Sequence, residues 1–362
     1  MFVKNIKISG FRNLAGAALV LPDAPNGSQI VALIGENGAG KTSVLEALSL
    51  LSPGRGLHKA NPKEQAQNGA STFGIFIELD DDNAVGIGLK NGKKQLQLNG
   101  DDMPRQTALA TLGNVLWLTP RQDRLFLDGP APRRDLLDRL TFGLIPTHAE
   151  DVARYKHHTK NRLKLLAGHN TPEDWLALEE AQAAAAGVKI LTNRQTYLAA
   201  LAPHLTDMTL AQQGATLEVL DEPDVVAALA GKFERSRPRD AITGSTGTGP
   251  MKVDVGGILR LEGHDVPLAQ ASSGQHKRAL IDLTLAHAKL IKAETGRPPL
   301  ILLDEFTAHL DATRQQQLLG QLTSELLDLG AQIWLTDVDL APYADLPHLV
   351  AVGVAGGELN LA

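Results

Sequence analysis

The chain has 362 residues, 43% of them apolar and only 4% aromatic, so aliphatic side chains must fill a sizeable core; the length fits one large domain with an insertion, or two domains. Its formal net charge of −6 excludes a uniformly basic nucleic-acid binder, though not a local basic stripe. Without cysteine there is no disulfide or thiolate metal site, no apolar run is long enough to span a bilayer, and Met1-Phe2-Val3-Lys4 reads as strand rather than signal peptide, so a cytoplasmic protein is expected.

In chain order, Ile6-Lys7-Ile8 reads as the end of a first strand. Residues 29–34 form a short apolar run that stops at Gly35, the pattern of a buried strand feeding a glycine loop. A helix is expected over 43–51, with Val44, Leu45, Leu48 and Leu51 on one face. Residues 72–99 read as an antiparallel meander: Val85, Ile87 and Leu89 alternate, Asn91-Gly92 supplies the turn, and Leu96 and Leu98 resume the alternation. From 146 to 205 the sequence turns helical, with Trp175, Leu178, Ala181, Ala185, Val188 and Leu191 recurring at steps of three and four. Residues 235–250, rich in Gly, Ser, Thr and Pro, are expected to form a mobile loop. Helix follows over 275–294, buried strands over 300–303 and 332–335, a helix over 312–327, and a last hairpin turning at Gly356-Gly357. The order of parts predicts an α/β fold, a head with a mixed sheet split in sequence by a helical insertion arm: head 1–145 and 250–362, arm 146–235, flexible loop 236–249.

Three strings carry chemistry. Gly35-Glu36-Asn37-Gly38-Ala39-Gly40-Lys41-Thr42 fits G-x-x-x-x-G-K-[ST] in full. Glycines let consecutive backbone N–H groups curl around an anion, and the helix that follows, beginning at Ser43, points its positive dipole end at the same place. Lys41 is then the cation for the outer phosphates of ATP, and the Thr42 hydroxyl a ligand for Mg²⁺. Leu300-Ile301-Leu302-Leu303-Asp304-Glu305 delivers two carboxylates at the end of an apolar strand, where ligands gather in open α/β sheets; Asp304 is expected to hold Mg²⁺ and Glu305 to polarise the attacking water. Ser272-Ser273-Gly274-Gln275 precedes a helix about thirty residues before that strand. A serine cap explains it equally well as a string; its position makes Ser273, Gly274 and Gln275 expected phosphate contacts.

Weaker signals are Ala308-His309-Leu310-Asp311, a turn past the carboxylates; Gln122, a possible sensor of Mg²⁺ and the outer phosphate that solvation explains as well; and Thr336-Asp337 at the end of the next strand, where Asp337 occupies the place of a switch histidine. The basic residues Arg55, Lys59, Lys63, Arg133, Arg134, Lys156, Lys160 and Lys164 are DNA-contact candidates, each equally readable as a solvated face. No aromatics are interleaved with them, so contacts to a duplex backbone are expected rather than base stacking.

Taken together these strings resemble the RecF family, bacterial recombination-mediator ATPases of the ABC type related to the SMC heads. The resemblance rests on Ile8-Ser9-Gly10-Phe11-Arg12-Asn13-Leu14, on the phosphate loop with Ser43-Val44-Leu45-Glu46-Ala47, on Pro132-Arg133-Arg134-Asp135-Leu136-Leu137-Asp138, on Asn161-Arg162-Leu163, on Gly247-Thr248-Gly249-Pro250 with Asp254, and on 272–275. It departs at Met251-Lys252, where the family usually shows His-Arg, and is loose over 52–59. The resemblance implies ATP and Mg²⁺ as cofactors, with Arg12, Asn13 and Ser43 among the nucleotide-site residues. It also implies a slow, switch-like ATPase that closes as an ATP-dependent homodimer, 272–275 being the family's signature string and Ser273 completing the opposite subunit's site. Binding of duplex DNA near single-strand gaps, without sequence preference, and recombinase loading with RecR and RecO are implied as well. The competing readings are the ATP subunit of a transporter, which should lack the insertion and carry the switch histidine, and a module that binds ATP without hydrolysis, which Glu305 opposes. A GTPase is disfavoured because no N-K-x-D string is present.

Overall fold

The computed structural model describes the chain except residues 25–26, 105, 169–171, 262 and 306–311. Two compact units emerge, one of Met1–Gln122 with Thr284–Ala362, the other of Asp123–Leu283.

The first unit opens with antiparallel β1 (Val3–Phe11) and β2 (Leu14–Val20), then β3 (Gln29–Ile34), α1 (Lys41–Ser49) and the short α2 (Pro62–Gln65). The expected meander follows as β4 (Phe73–Leu79), β5 (Ala84–Lys90) and β6 (Lys93–Leu98), then β7 (Asp101–Asp102) and β8 (Val115–Leu118). Along β5, Val85, Ile87 and Leu89 are buried and their neighbours are not, the period of a half-buried strand. Asn91 and Gly92 take φ of 53° and 72° between paired Lys90 and Lys93, the geometry that a tight right-twisted hairpin requires. The sheet runs β2-β1-β4-β5-β6-β7.

The second unit holds α3 (Pro130–Leu144), α4 (His148–Leu166), α5 (Glu173–Leu201), β9 (Met208–Gln213), α6 (Val225–Thr243), β10 (Asp254–Leu261), β11 (His264–Pro267) and the first half of α7 (Ser273–Thr295). At 19 and 29 residues, α4 and α5 are about 29 and 44 Å long, far short of an extended coiled coil. Tyr155, Ala183, Ala186, Ile190, Leu229 and Phe233 form their shared core with α6. β9, β10 and β11 make a small antiparallel sheet.

The chain returns to the first unit with β12 (Leu300–Asp304), α8 (Ala312–Asp328), β13 (Gln332–Asp337), β14 (Leu349–Ala355) and β15 (Glu358–Leu361). The second sheet runs β15-β14-β3-β13-β12-β8, parallel except for the β14–β15 hairpin. Val44, Leu45, Ala47 and Leu48 of α1 are buried in one apolar core shared with residues of both sheets. Side chains along β3, β12 and β13 are buried almost throughout, as in a parallel sheet covered on both faces. Register sets Asp304 beside Thr336 and Asp337 beside Ile34, so the carboxylate strand and the strand feeding the glycine loop end at one edge.

Two expectations are corrected. Residues 236–243 are not loop: α6 continues through them, despite Pro238, to Gly244, which ends the helix at φ 62°. Buried ion pairs override the composition. Arg162, fully buried on α4, donates to Glu180 Oε1 on α5 at 2.9 Å, to Asp240 Oδ2 on α6 at 2.7 Å and to the Phe233 carbonyl at 2.6 Å. Arg237 donates to Glu180 Oε2 at 2.6 Å and also pairs with Glu173. The second correction concerns extent. The unit that contains the arm spans 123–283, beyond the expected 146–235: α3 is tied to the arm helix α5 by Arg194 with Asp138 at 2.7 Å, and β10 to α3 by Arg133 with Asp254 at 2.8 Å.

Candidate nucleotide site

The glycines of the loop serve different ends. A side chain at Gly35 would meet the Val354 carbonyl oxygen at 2.2 Å, so this position is small because β14 lies against it. Gly38 and Gly40 take φ of 83° and 115°, and a Cβ at Gly40 would also strike Leu14 Cδ2 at 2.6 Å. Lys41, 5% exposed, folds its ammonium back onto the Gly35 and Glu36 carbonyls at 2.6 and 2.9 Å. Asn13 staples the loop: its amide donates to the Gly38 carbonyl at 2.7 Å and its oxygen accepts from the Ser43 hydroxyl at 2.7 Å. The loop is thus held at the N-terminus of α1 with its anion-binding curvature in place.

The carboxylates stand at the edge that register predicts. The Thr42 hydroxyl donates to Asp304 Oδ1 at 2.8 Å, and Asp304 is 5% exposed. Glu305 turns off the strand with φ 43°, rare for a residue with a side chain, and lines the cleft. The cleft measures 710 Å³ and is bounded by Arg12, Asn13, Asn37, Gly38, Lys41 and Thr42 on the loop side, and by Glu64 of α2 with Gln67 and Asn68 just after it. That is the size range of small-molecule sites, roughly 300–1,000 Å³.

Arg12 reaches the cleft, but its guanidinium is clamped on Glu46 at 2.8 and 2.6 Å and on the Glu64 carbonyl at 2.8 Å. The hydrogen bonds to Glu46 raise its already high pKa. Arg12 therefore braces the wall between α1 and α2 while lining the cleft. Glu46 was missed by motif reading, yet a carboxylate inside the buried run Val44-Leu45-Glu46-Ala47-Leu48 was itself a signal, since a buried charge needs a partner.

Other expected residues lie elsewhere. Gln122 does not line the cleft; its amide oxygen accepts the Thr119 N–H at 2.8 Å and caps the turn that follows β8. Asp337 is likewise absent from the cleft wall: it accepts the Tyr343 hydroxyl and, at 2.6 Å, the Val338 N–H. The turn Ala308–Asp311 lies outside the described residues. In the second unit, Ser272 and Gln275 form a reciprocal cap at the start of α7, with Ser272 N–H to Gln275 Oε1 at 2.7 Å and Gln275 N–H to Ser272 Oγ at 3.4 Å. Ser273 and Gly274 stay exposed at the N-terminus of this 23-residue helix. Among the basic candidates, Arg133 is spent on Asp254 and on the Asp128 carbonyl at 2.6 Å, and Arg134, half-buried, donates to the Val253 carbonyl at 3.4 Å. Lys156, Lys160 and Lys164 are exposed at four-residue steps along α4, and Arg55 and Lys63 are exposed in the first unit.

A phosphate loop opening a helix, a threonine–aspartate pair beneath it and a glutamate on the rim define an ATPase of the ABC head type, with an α/β head carrying a helical arm. Residues 30–336 match the family model described as "AAA domain, putative AbiEii toxin, Type IV TA system". The chain is 35% identical to the DNA replication and repair protein RecF of Rhizobium rhizogenes (strain K84), covering 96% of this chain and 94% of that protein. It is 34% identical to the RecF of Allorhizobium ampelinum (strain S4), covering 99% of each. The chain belongs to the RecF family of ATPases. Its fold matches that of the recombination mediator protein RecF of the RecFOR pathway, solved as RecF-ATPrS, with TM-score 0.83 and 22% identity over 99% of this chain and 98% of that one.

Proposed function

We propose that this chain is an ATP-driven DNA-repair clamp: it binds Mg-ATP in the cleft, closes as a homodimer on duplex DNA near single-strand gaps, hydrolyses ATP slowly and so helps load recombinase. The observation that carries the ATP half is the Thr42–Asp304 hydrogen bond of 2.8 Å directly under the loop. It brings a hydroxyl and a carboxylate, hard oxygen donors of the kind that Mg²⁺ takes, to one point beside a phosphate cradle. Bound Mg²⁺ would neutralise phosphate charge there. Lys41 supplies the cation for the outer phosphates, and the loop N–H groups and the α1 dipole bind their oxygens. Glu305, at the rim, takes the proton of the attacking water. The exposed Ser273 and Gly274 at the head of α7 complete the site of a second copy, so that ATP itself supplies the affinity for closing.

The DNA half rests on kinship with proteins named for DNA replication and repair, and on the exposed lysines of α4. RecR and RecO are the partners that this kinship implies. Among the described residues no helix is long and apolar enough to cross a membrane. Titrating one duplex at several salt concentrations, with and without ATP, tests the reading. Binding should tighten with ATP, ignore sequence and fall steeply with salt, because each phosphate contact releases counterions. A flat salt response, or equal affinity without nucleotide, would contradict it.

A further inference from the structure

Thr336 is the next-to-last residue of β13 and is 1% exposed. Parallel register sets it beside Asp304 on one neighbouring strand and beside Leu33 on the other. Its hydroxyl uses both of its capacities on the two carboxylate residues. It donates to Asp304 Oδ1 at 2.9 Å and accepts the backbone N–H of Glu305 at 2.9 Å. The Thr42 hydroxyl donates to the same Asp304 oxygen at 2.8 Å. Two hydroxyls converging on Oδ1, one from α1 and one from β13, fix the rotation of the carboxylate and leave Oδ2 untouched by either. The second bond matters for a different reason. Glu305 sits at φ 43°, a conformation that costs a residue with a side chain, and the bond to Thr336 is what holds its N–H there. A buried threonine commonly satisfies its hydroxyl on a carbonyl of its own element, as Thr323 does on Leu319. Thr336 instead bridges to the adjacent strand and takes two successive residues there.

We propose that Thr336 is the positioning residue of this site, orienting Asp304 towards the cation and aiming Glu305 into the cleft. The inference rests on the reading of Asp304 as cation holder and Glu305 as general base. Thr336→Val keeps the shape and removes both hydrogen bonds, whereas Thr336→Ser keeps both. Two readouts are needed: the Mg²⁺ concentration that half-saturates tight binding of a fluorescent ATP analogue, and kcat with KM. For Thr336→Val the Mg²⁺ concentration should rise by about tenfold and kcat fall at least about tenfold, the usual worth of a buried hydrogen bond to a charged group. Binding of the analogue without Mg²⁺ should stay within about twofold, because Thr336 does not line the cleft that the loop forms. Thr336→Ser should return both readouts to within about threefold of the parent. Should valine's second methyl not pack, Thr336→Ala removes the hydroxyl without adding volume and gives the same readings. Parent-like values in Thr336→Val, or serine as impaired as valine, would overturn the proposal. Glu305→Gln separates the two layers. If it hydrolyses ATP normally, the base assignment fails, while the Mg²⁺ shift in Thr336→Val still reports on Asp304. If Glu305→Gln is inactive but Thr336→Val needs no extra Mg²⁺, the base stands and the positioning role falls.

Discussion

At the scale of single residues, the polar groups of the site are held by hydrogen bonds to the loop and to one another. Lys41 lies on the Gly35 and Glu36 carbonyls, and Thr42 points its proton at Asp304. Lys41→Ala should weaken ATP binding by roughly 10–100-fold or more, the worth of charge-assisted hydrogen bonds to phosphate. Its unfolding transition should move by no more than about 1 kcal/mol, since the two carbonyls it leaves lie at the edge of a cleft and can take water. Calorimetric titration beside a denaturant melt checks both, and normal ATP affinity would contradict the phosphate-loop reading. The loop was legible in the sequence because its requirement is local: glycines, a lysine and a hydroxyl at fixed spacing. Thr336 was not, and Glu46 showed only as a charge in an apolar run without its partner. Their roles come from β12–β13 register and from the crossing of Arg12 over α1, which join positions 32 and 34 residues apart in the chain.

At the scale of elements, alternation and turn chemistry placed the meander and its Asn91-Gly92 hairpin, because period and turn are properties of short stretches. The same local reading failed over 236–243. Ser236, Arg237 and Asp240 look like loop residues, but they are partners of Arg162 and Glu180 in the arm. Tertiary ion pairs fixed the helix where composition argued against it. This gives a stability prediction for α4, α5 and α6. Arg162→Ala leaves Asp240 buried with only the Ser236 hydroxyl and the Gly247 N–H, and Glu180 with only Arg237. It should cost about 3–5 kcal/mol in a urea melt followed by helical signal. A loss below about 1 kcal/mol would mean that the network merely decorates a helix packed by Leu229 and Phe233.

At the scale of the whole molecule, a net charge of −6 does not oppose the proposed DNA contact: the lysines that remain exposed on α4 form a local stripe, while Arg133 and Arg134 are committed to the structure. The signature string illustrates how two readings coexist. Ser272 and Gln275 do form a helix cap, and that cap is what presents Ser273 and Gly274 to solvent. If those residues meet the ATP of a second copy, mass in solution must depend on nucleotide and on Ser273. The decisive measurement is light scattering of the parent and of Ser273→Arg, with and without Mg-ATP. The parent should go from monomer to dimer on adding Mg-ATP, and Ser273→Arg should bind ATP yet stay monomeric, because Lys41, Thr42 and Asp304 lie within one copy. A Ser273→Arg protein that still dimerises with ATP would contradict the account, reducing 272–275 to a helix cap and leaving the clamp without its closing contact.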